Sequence, residues 1–197
     1  MRQISITGLL AIGMTFVILT AGIDLSIGSL LAFAGLAAAA VAKGGMQDRF
    51  TVGDAAIGYG WPLALLAAIA IGLAGGYLQG FAITRLKVPP FIATLAGLWV
   101  ARGLCFFISD PAIPIRNRLY EVLSGTKLLI PGLADPATKQ GEFVSILVVV
   151  ELVILVVAIF VAHYTGFGRS VYAIGGNELS ARLMGLPVNR TKMLVYT

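Results

Sequence analysis

Apolar residues run in long blocks along this chain, and polar residues gather in the breaks between them. Five blocks reach or approach membrane length: residues 4–20, 27–42, 62–84, 91–108 and 143–162. A helix needs about 20 apolar residues to cross the hydrocarbon core, and about 17 suffice when the ends are anchored. Together with a sixth block beginning at Met193, the pattern predicts an all-α, polytopic helical membrane protein of about five transmembrane segments plus the start of another. Two polar interruptions stand out. The first two blocks are short, and Gly22, Asp24, Ser26, Gly28 and Ser29 lie at their junction. Short, glycine-interrupted hydrophobic segments mark broken helices that line transport paths. The same residues also fit a tight turn between two ordinary spans, with Asp24 or Ser26 as helix cap. The second interruption, residues 166–192, reads GFGRSVYAIGGNELSARLMGLPVNRTK. Its middle predicts a short amphipathic helix: Leu179, Leu183 and Leu186 recur on one face, and Glu178 and Arg182 stand four apart as a pair. Gly185 is placed to end that helix, with Pro187 just beyond.

Composition agrees with lipid as the solvent. The chain is 58% hydrophobic and 12% charged, with mean hydropathy +0.95; soluble domains carry about 25% charged residues. The net charge of +5 sits beside apolar runs, which fits anchoring at a membrane surface and gives no reason to invoke nucleic acid. Basic residues concentrate in the short connection 85–90 and in 166–192, which puts both on the cytoplasmic side and Met1 outside; a mid-membrane break at residues 22–29 would change that count. Met1, Arg2 and Gln3 resemble a signal-peptide n-region, but no clean small-residue cleavage site follows. Cys105, the sole cysteine, lies inside an apolar block and reads as a packing residue.

Charges within the blocks narrow the reading further. Asp24, Arg102 and Glu151 must face protein interior or water, because membrane-embedded charge costs several kcal/mol on some scales. Arg102 and Glu151 lie at depths differing by only about 3 Å, so the sequence allows them to pair. Either a structural pair or a hydrophilic passage would account for them. Gly72, Gly76 and Gly80 repeat every fourth residue and predict a face on which another helix packs closely. Pro90 suits the first turn of the helix that follows it. His163, the single histidine, lacks the converging donors a metal needs, and no P-loop, HExxH, CxxC or GxSxG motif occurs. An enzyme cannot be assembled from these residues, which leaves transporter, channel or assembly subunit.

Three stretches carry a family resemblance: GMTFVILTAGIDLSIGSLLAFAG (residues 13–35), PPFIATLAGLWVARG (89–103) and FGRSVYAIGGNELSARLMGLPV (167–188). They resemble the permease subunits of bacterial ABC importers for ribose, xylose and galactose, and FISDPAIPIRNRLYEVLSG (107–125) looks most like a galactofuranose-type permease. The resemblance implies a partial transmembrane permease domain over residues 1–197, lacking the family's first helix and later half. It implies a bacterial inner-membrane location and monosaccharide import. The expected partners are cytoplasmic ATPase subunits that bind ATP and Mg, a second permease identical or different, and a periplasmic sugar-binding protein. No cofactor is expected on this chain. Residues 166–192 would form a cytoplasmic coupling loop, with Gly175, Gly176, Asn177, Glu178, Leu179, Ala181, Arg182, Leu183 and Gly185 at the ATPase. A translocation path would involve Gly22, Asp24, Ser26, Gly28, Ser29, Arg102 and Glu151. A branched-chain amino acid permease, a passive channel and an ion-coupled carrier remain as alternatives, and so does a surface helix lying in the lipid interface for the amphipathic stretch.

Overall fold

The computed structural model describes residues 2–43, 60–108, 127–129 and 143–197. The connections 44–59 and 109–126, most of the galactofuranose-like stretch among them, lie outside the described residues. The order of elements is α1 (Arg2–Leu19), α2 (Ile27–Lys43), α3 (Gly60–Thr84), α4 (Pro90–Ile108), β1 (Lys127–Leu129), β2 (Phe143–Ser145), α5 (Ile146–Tyr164), α6 (Gly166–Gly176), α7 (Glu178–Leu183) and α8 (Val188–Tyr196). The helical reading holds, with one addition. Strands β1 and β2 pair antiparallel, Lys127 opposite Ser145 and Leu129 opposite Phe143. Residues 143–145, read from sequence as the start of a span, therefore belong to a ribbon, and α5 begins at Ile146.

Among the described residues, three stretches are long and apolar enough to cross a bilayer: Pro62–Thr84, Pro90–Ile108 and Ile146–Tyr164. Ile4–Leu19 and Ile27–Ala42 are shorter apolar helices. Helix α5 exposes Val149, Leu152, Val153, Val156, Val157 and Phe160 around most of its circumference, as a helix does when lipid rather than water surrounds it. Pro90 opens α4, where its missing N–H removes no intrahelical bond.

Contacts fix the direction of each helix. Leu30 of α2 packs against Gly75 of α3, and Ser26, four residues earlier, bonds Gln79, four residues later; α2 and α3 are antiparallel. Gly97 of α4 abuts Gln79, and Ala93 clusters with Ile83, so α4 also opposes α3. Met193 and Tyr196 of α8 lie against Gly80 and Gly76, so α8 runs counter to α3 as well. Helix α1 meets Glu151 of α5 at Gly8 and Phe167 of α6 at Phe16, and its last turn joins Ile83 through Val17. Helices α1, α3 and α5 thus run one way, and α2, α4 and α8 the other. The C-terminal ends of α1, α3 and α5 gather with α6 and α7 at one end of the bundle.

Of the predicted glycine stripe, Gly76 and Gly80 face α8 while Gly72 faces open space. A side chain at Gly76 would run into the Tyr196 carbonyl, so the close approach of α8 depends on the missing Cβ. The expected Arg102–Glu151 pair does not form. Arg102 is exposed on α4, whose neighbours are α2 and α3, whereas Glu151 lies against Gly8 of α1 on the far side of the bundle. Similar depth did not make them neighbours.

Candidate functional site

Residues 166–192 fold as helices, not as a loop with one helix in its middle. Thr165 begins the segment: its Oγ1 accepts from the Gly168 amide (3.2 Å) and donates to the Val161 carbonyl (2.6 Å). Helix α6 then packs so tightly on its neighbours that Gly168 meets the Ala162 carbonyl and Gly175 meets the Leu19 carbonyl. Gly175 therefore serves the approach of α6 to α1, while Gly176 faces open space. Asn177 ends α6 and starts α7; its Oδ1 accepts from the Ser180 amide at 2.9 Å, satisfying an otherwise free first-turn N–H. Helix α7 closes with the Leu186 amide donating to Ala181 O (3.1 Å) and the Gly185 amide to Arg182 O (3.0 Å). That double bond pattern requires a left-handed residue at its centre, and Gly185 has φ +80°. The sequence reading of Gly185 as the helix end agrees with this geometry.

The two faces of α7 differ. Ala181 is buried with Ile174 and Val188, and Leu186 packs against them, so Ala181 and Leu186 belong to the protein's own core and not to the outward face. Leu179, Leu183 and Met184 are 68%, 81% and 69% exposed; they are the apolar residues α7 offers outward. Glu178 ties the arrangement together. Its Oε1 accepts from Arg182 Nη2 at 2.7 Å, the predicted pair, and its Oε2 accepts from Lys192 Nζ of α8 at 2.6 Å. Arg182 Nη2 also donates to Asn189 Oδ1 at 3.2 Å. The hydrogen bonds from Lys192 and then Arg182 hold the Glu178 carboxyl below the usual carboxylate range against a smaller opposing effect of burial.

The first polar interruption, between α1 and α2, is a buried reversal. Since α1 and α2 run in opposite senses, residues 20–26 turn the chain around; they do not interrupt one continuous helix. Yet this is no tight hairpin, because α2 packs on α3 and α4 while α1 packs on α5 and α6. Non-helical backbone within a membrane protein needs partners supplied by protein, and α3 and α4 supply them. Ser26 is fully buried; its amide and hydroxyl both donate to Asp24 Oδ1 (2.8 and 2.7 Å), and Gln79 Nε2 donates to its Oγ at 2.7 Å. Thr94, also fully buried, donates to Pro90 O of its own helix at 2.9 Å and lies 3.3 Å from Ile23 O of the reversal. Ser29 donates to Ser26 O at 2.8 Å, and Gly28 is exposed. The Ser26 hydroxyl is thus engaged by Asp24 and Gln79 rather than by a first-turn amide of α2. Glu151 lines a separate cavity of about 370 Å³ between α1 and α5, with Thr15, His163 and Tyr172. Of the sequence-predicted path residues, Asp24, Ser26 and Ser29 come together, while Arg102 and Glu151 lie apart from them. Gln79, Thr94, Asn189, Lys192 and Tyr196 were not singled out. The one available signal was Gln79, a lone amide in an otherwise apolar block.

The whole chain, residues 1–197, matches the family model described as branched-chain amino acid transport system / permease component. The inner membrane ABC transporter permease protein YjfF of Escherichia coli K12 is 41% identical over 189 residues, covering 96% of this chain and 51% of its own. The fructose import permease protein FruG of Bifidobacterium longum is 33% identical over 189 residues, 95% of this chain and 51% of its own. The ribose import permease protein RbsC of Escherichia coli K12 is 33% identical over 204 residues, 100% of this chain and 55% of its own. The chain spans about half the length of these curated relatives. No solved structure matches. Because the family match leaves no part of these helices uncovered and the relatives are themselves named permeases, this chain belongs to the branched-chain amino acid transport system / permease component family, and its long apolar helices are those of a multi-pass membrane protein.

Proposed function

We propose that the chain is part of a permease subunit that moves a monosaccharide inward across the bacterial inner membrane, driven by a separate ATPase. The observation that carries this reading is α7. Three large apolar side chains project from a short helix that caps, an ion-pair cluster and a buried reverse face hold in place. Such a ridge suits insertion into a groove of a protein partner. Under this reading residues 166–192 face the cytoplasm together with the basic connection 85–90, and two ATPase subunits carry the ATP and Mg. A second permease, identical or different, completes the pathway, and a periplasmic binding protein delivers the sugar. Leu179, Leu183 and Met184 touch the ATPase, while Asn177, Glu178, Arg182 and Gly185 position them. Asp24, Ser26, Gly28 and Ser29 lie at the passage.

Relatives named for fructose and ribose import favour a sugar, whereas the family description names branched-chain amino acids. Uptake separates the two. Cells expressing the complete permease with its ATPase and binding protein should accumulate a labelled monosaccharide (ribose, fructose, xylose or galactofuranose), and only with a hydrolysis-competent ATPase. Uptake of leucine or valine in place of every sugar would refute the substrate class; sugar uptake without the ATPase would refute the energy source.

A further inference from the structure

We propose that the chain holds one anionic phospholipid, its phosphate in a basic pocket between α6 and α8 and an acyl chain in the apolar groove that continues from that pocket along α1 and α5. The leaflet is the cytoplasmic one, which rests on the side proposed above for residues 166–192; the site itself does not depend on docking at α7. The pocket has a volume of about 510 Å³ and is lined by Gly166, Phe167 and Ser170 of α6 and by Pro187, Arg190 and Leu194 at and along α8. Arg190 is exposed, and Arg169 Nη2 lies beside Gly166. Neither guanidinium has an ion-pair partner among the described residues, and no carboxylate lines the pocket. Two unpaired positive charges at one opening call for an anion, and guanidinium matches phosphate oxygens in two-point hydrogen bonding. Helix α8 also begins here, after Pro187, with no side chain capping its first amides, so its end adds to the same sign.

The pocket alone would suit a free anion; the groove makes the occupant a lipid. Phe167 and Leu194 belong both to the pocket and to an adjoining cavity of about 400 Å³, bounded by α1, α5 and Val195 and lined by apolar residues throughout. From Val161 back to Ile154 this cavity follows α5 for about 10 Å, and it follows α1 over the same length from Phe16 to Leu9. Gly13 lies midway, with open space where a side chain would stand, and so deepens the groove. Helix α5 is a membrane span on which Ile154 and Val157 are exposed, so the bilayer borders the groove directly. Tyr164, 73% exposed at the end of α5, marks the level where hydrocarbon meets headgroups. Gly166 follows two residues later, which puts the basic pocket among the headgroups while the groove descends into hydrocarbon. Charge outward and apolar lining inward is the order of parts in a phospholipid, and basic pockets between membrane helices on this side take anionic headgroups.

The test uses the full-length permease with its ATPase in nanodiscs of phosphatidylethanolamine and phosphatidylglycerol, with native mass spectrometry reading the lipid retained. Phosphatidylglycerol should be retained in preference to phosphatidylethanolamine, at one molecule per permease. Arg169→Gln combined with Arg190→Gln should lower its retention about tenfold or more, and Lys at both positions should preserve it. Gly13→Phe, which fills the groove without meeting protein, should displace the lipid while both arginines remain. Equal retention of the two lipids overturns the proposal, and so does undiminished phosphatidylglycerol on the double Gln variant. Retention unaffected by Gly13→Phe overturns the groove as the place of the acyl chain. If inorganic phosphate raises the thermal midpoint as much as phosphatidylglycerol does, the pocket is a free-anion site and the lipid is refuted. Loss of the ATPase from the double Gln variant, with lipid retained, would make the arginines contacts to that protein instead. Failure of docking at α7 has a separate signature: Leu183→Asp would leave the ATPase bound, with lipid retention unchanged.

Discussion

Glu178 joins α7 to itself and to α8, and its ionisation controls both links. Its carboxyl is held below the usual range by Lys192 and Arg182, so the folded protein favours the charged form. The stabilisation is therefore complete above the unfolded-state value of about 4.3 and disappears as pH falls through the lower folded value. Amide exchange in α7 should stay constant from pH 8 to 5 after correction for intrinsic rates, then accelerate in more acid solution; Glu178→Gln should abolish that step. The pair is partly exposed, so its worth is at most about 1 kcal/mol, and the effect is local fraying without global unfolding. Gly185 is the second such residue. At φ +80° a Cβ is strained, and Gly185→Ala should destabilise the α7 end by about 1–2 kcal/mol. Faster exchange at the Gly185-closing amides would register it; unchanged exchange would contradict the assignment.

Among elements, α3 carries the sharpest expectation, because its glycines differ in surroundings. Gly76→Leu should drive α8 away and lower the thermal midpoint of the solubilised full-length protein, while Gly72→Leu, facing open space, should leave it near the parent value. Equal effects would mean the α3–α8 contact is not as described. The apolar elements were legible in the sequence because hydropathy alone defines a span. Which way a side chain points around a uniformly apolar helix was not: Arg102 and Glu151 matched in depth but sit on helices that are not neighbours. Helices α6 and α8 were missed for the opposite reason. Asn189, Arg190, Thr191 and Lys192 read as loop, and their helix follows from packing on α7 and α3. The partners of the reversal, Gln79, Thr94 and Tyr196, come from 53 to more than 170 positions away, beyond what local spacing can indicate.

For the molecule as a whole, alternating helix directions bring the ends of α1, α3 and α5 to the same place as α6 and α7. This convergence gives the proposed ATPase a single point of attachment. The most direct measurement of that claim is copurification of the ATPase with the full-length permease carrying Leu183→Asp, at a residue 81% exposed whose replacement disturbs no core. The ATPase should be lost from the membrane complex while permease yield and thermal midpoint stay unchanged. Full retention of the ATPase by a well-folded Leu183→Asp permease would contradict docking at α7.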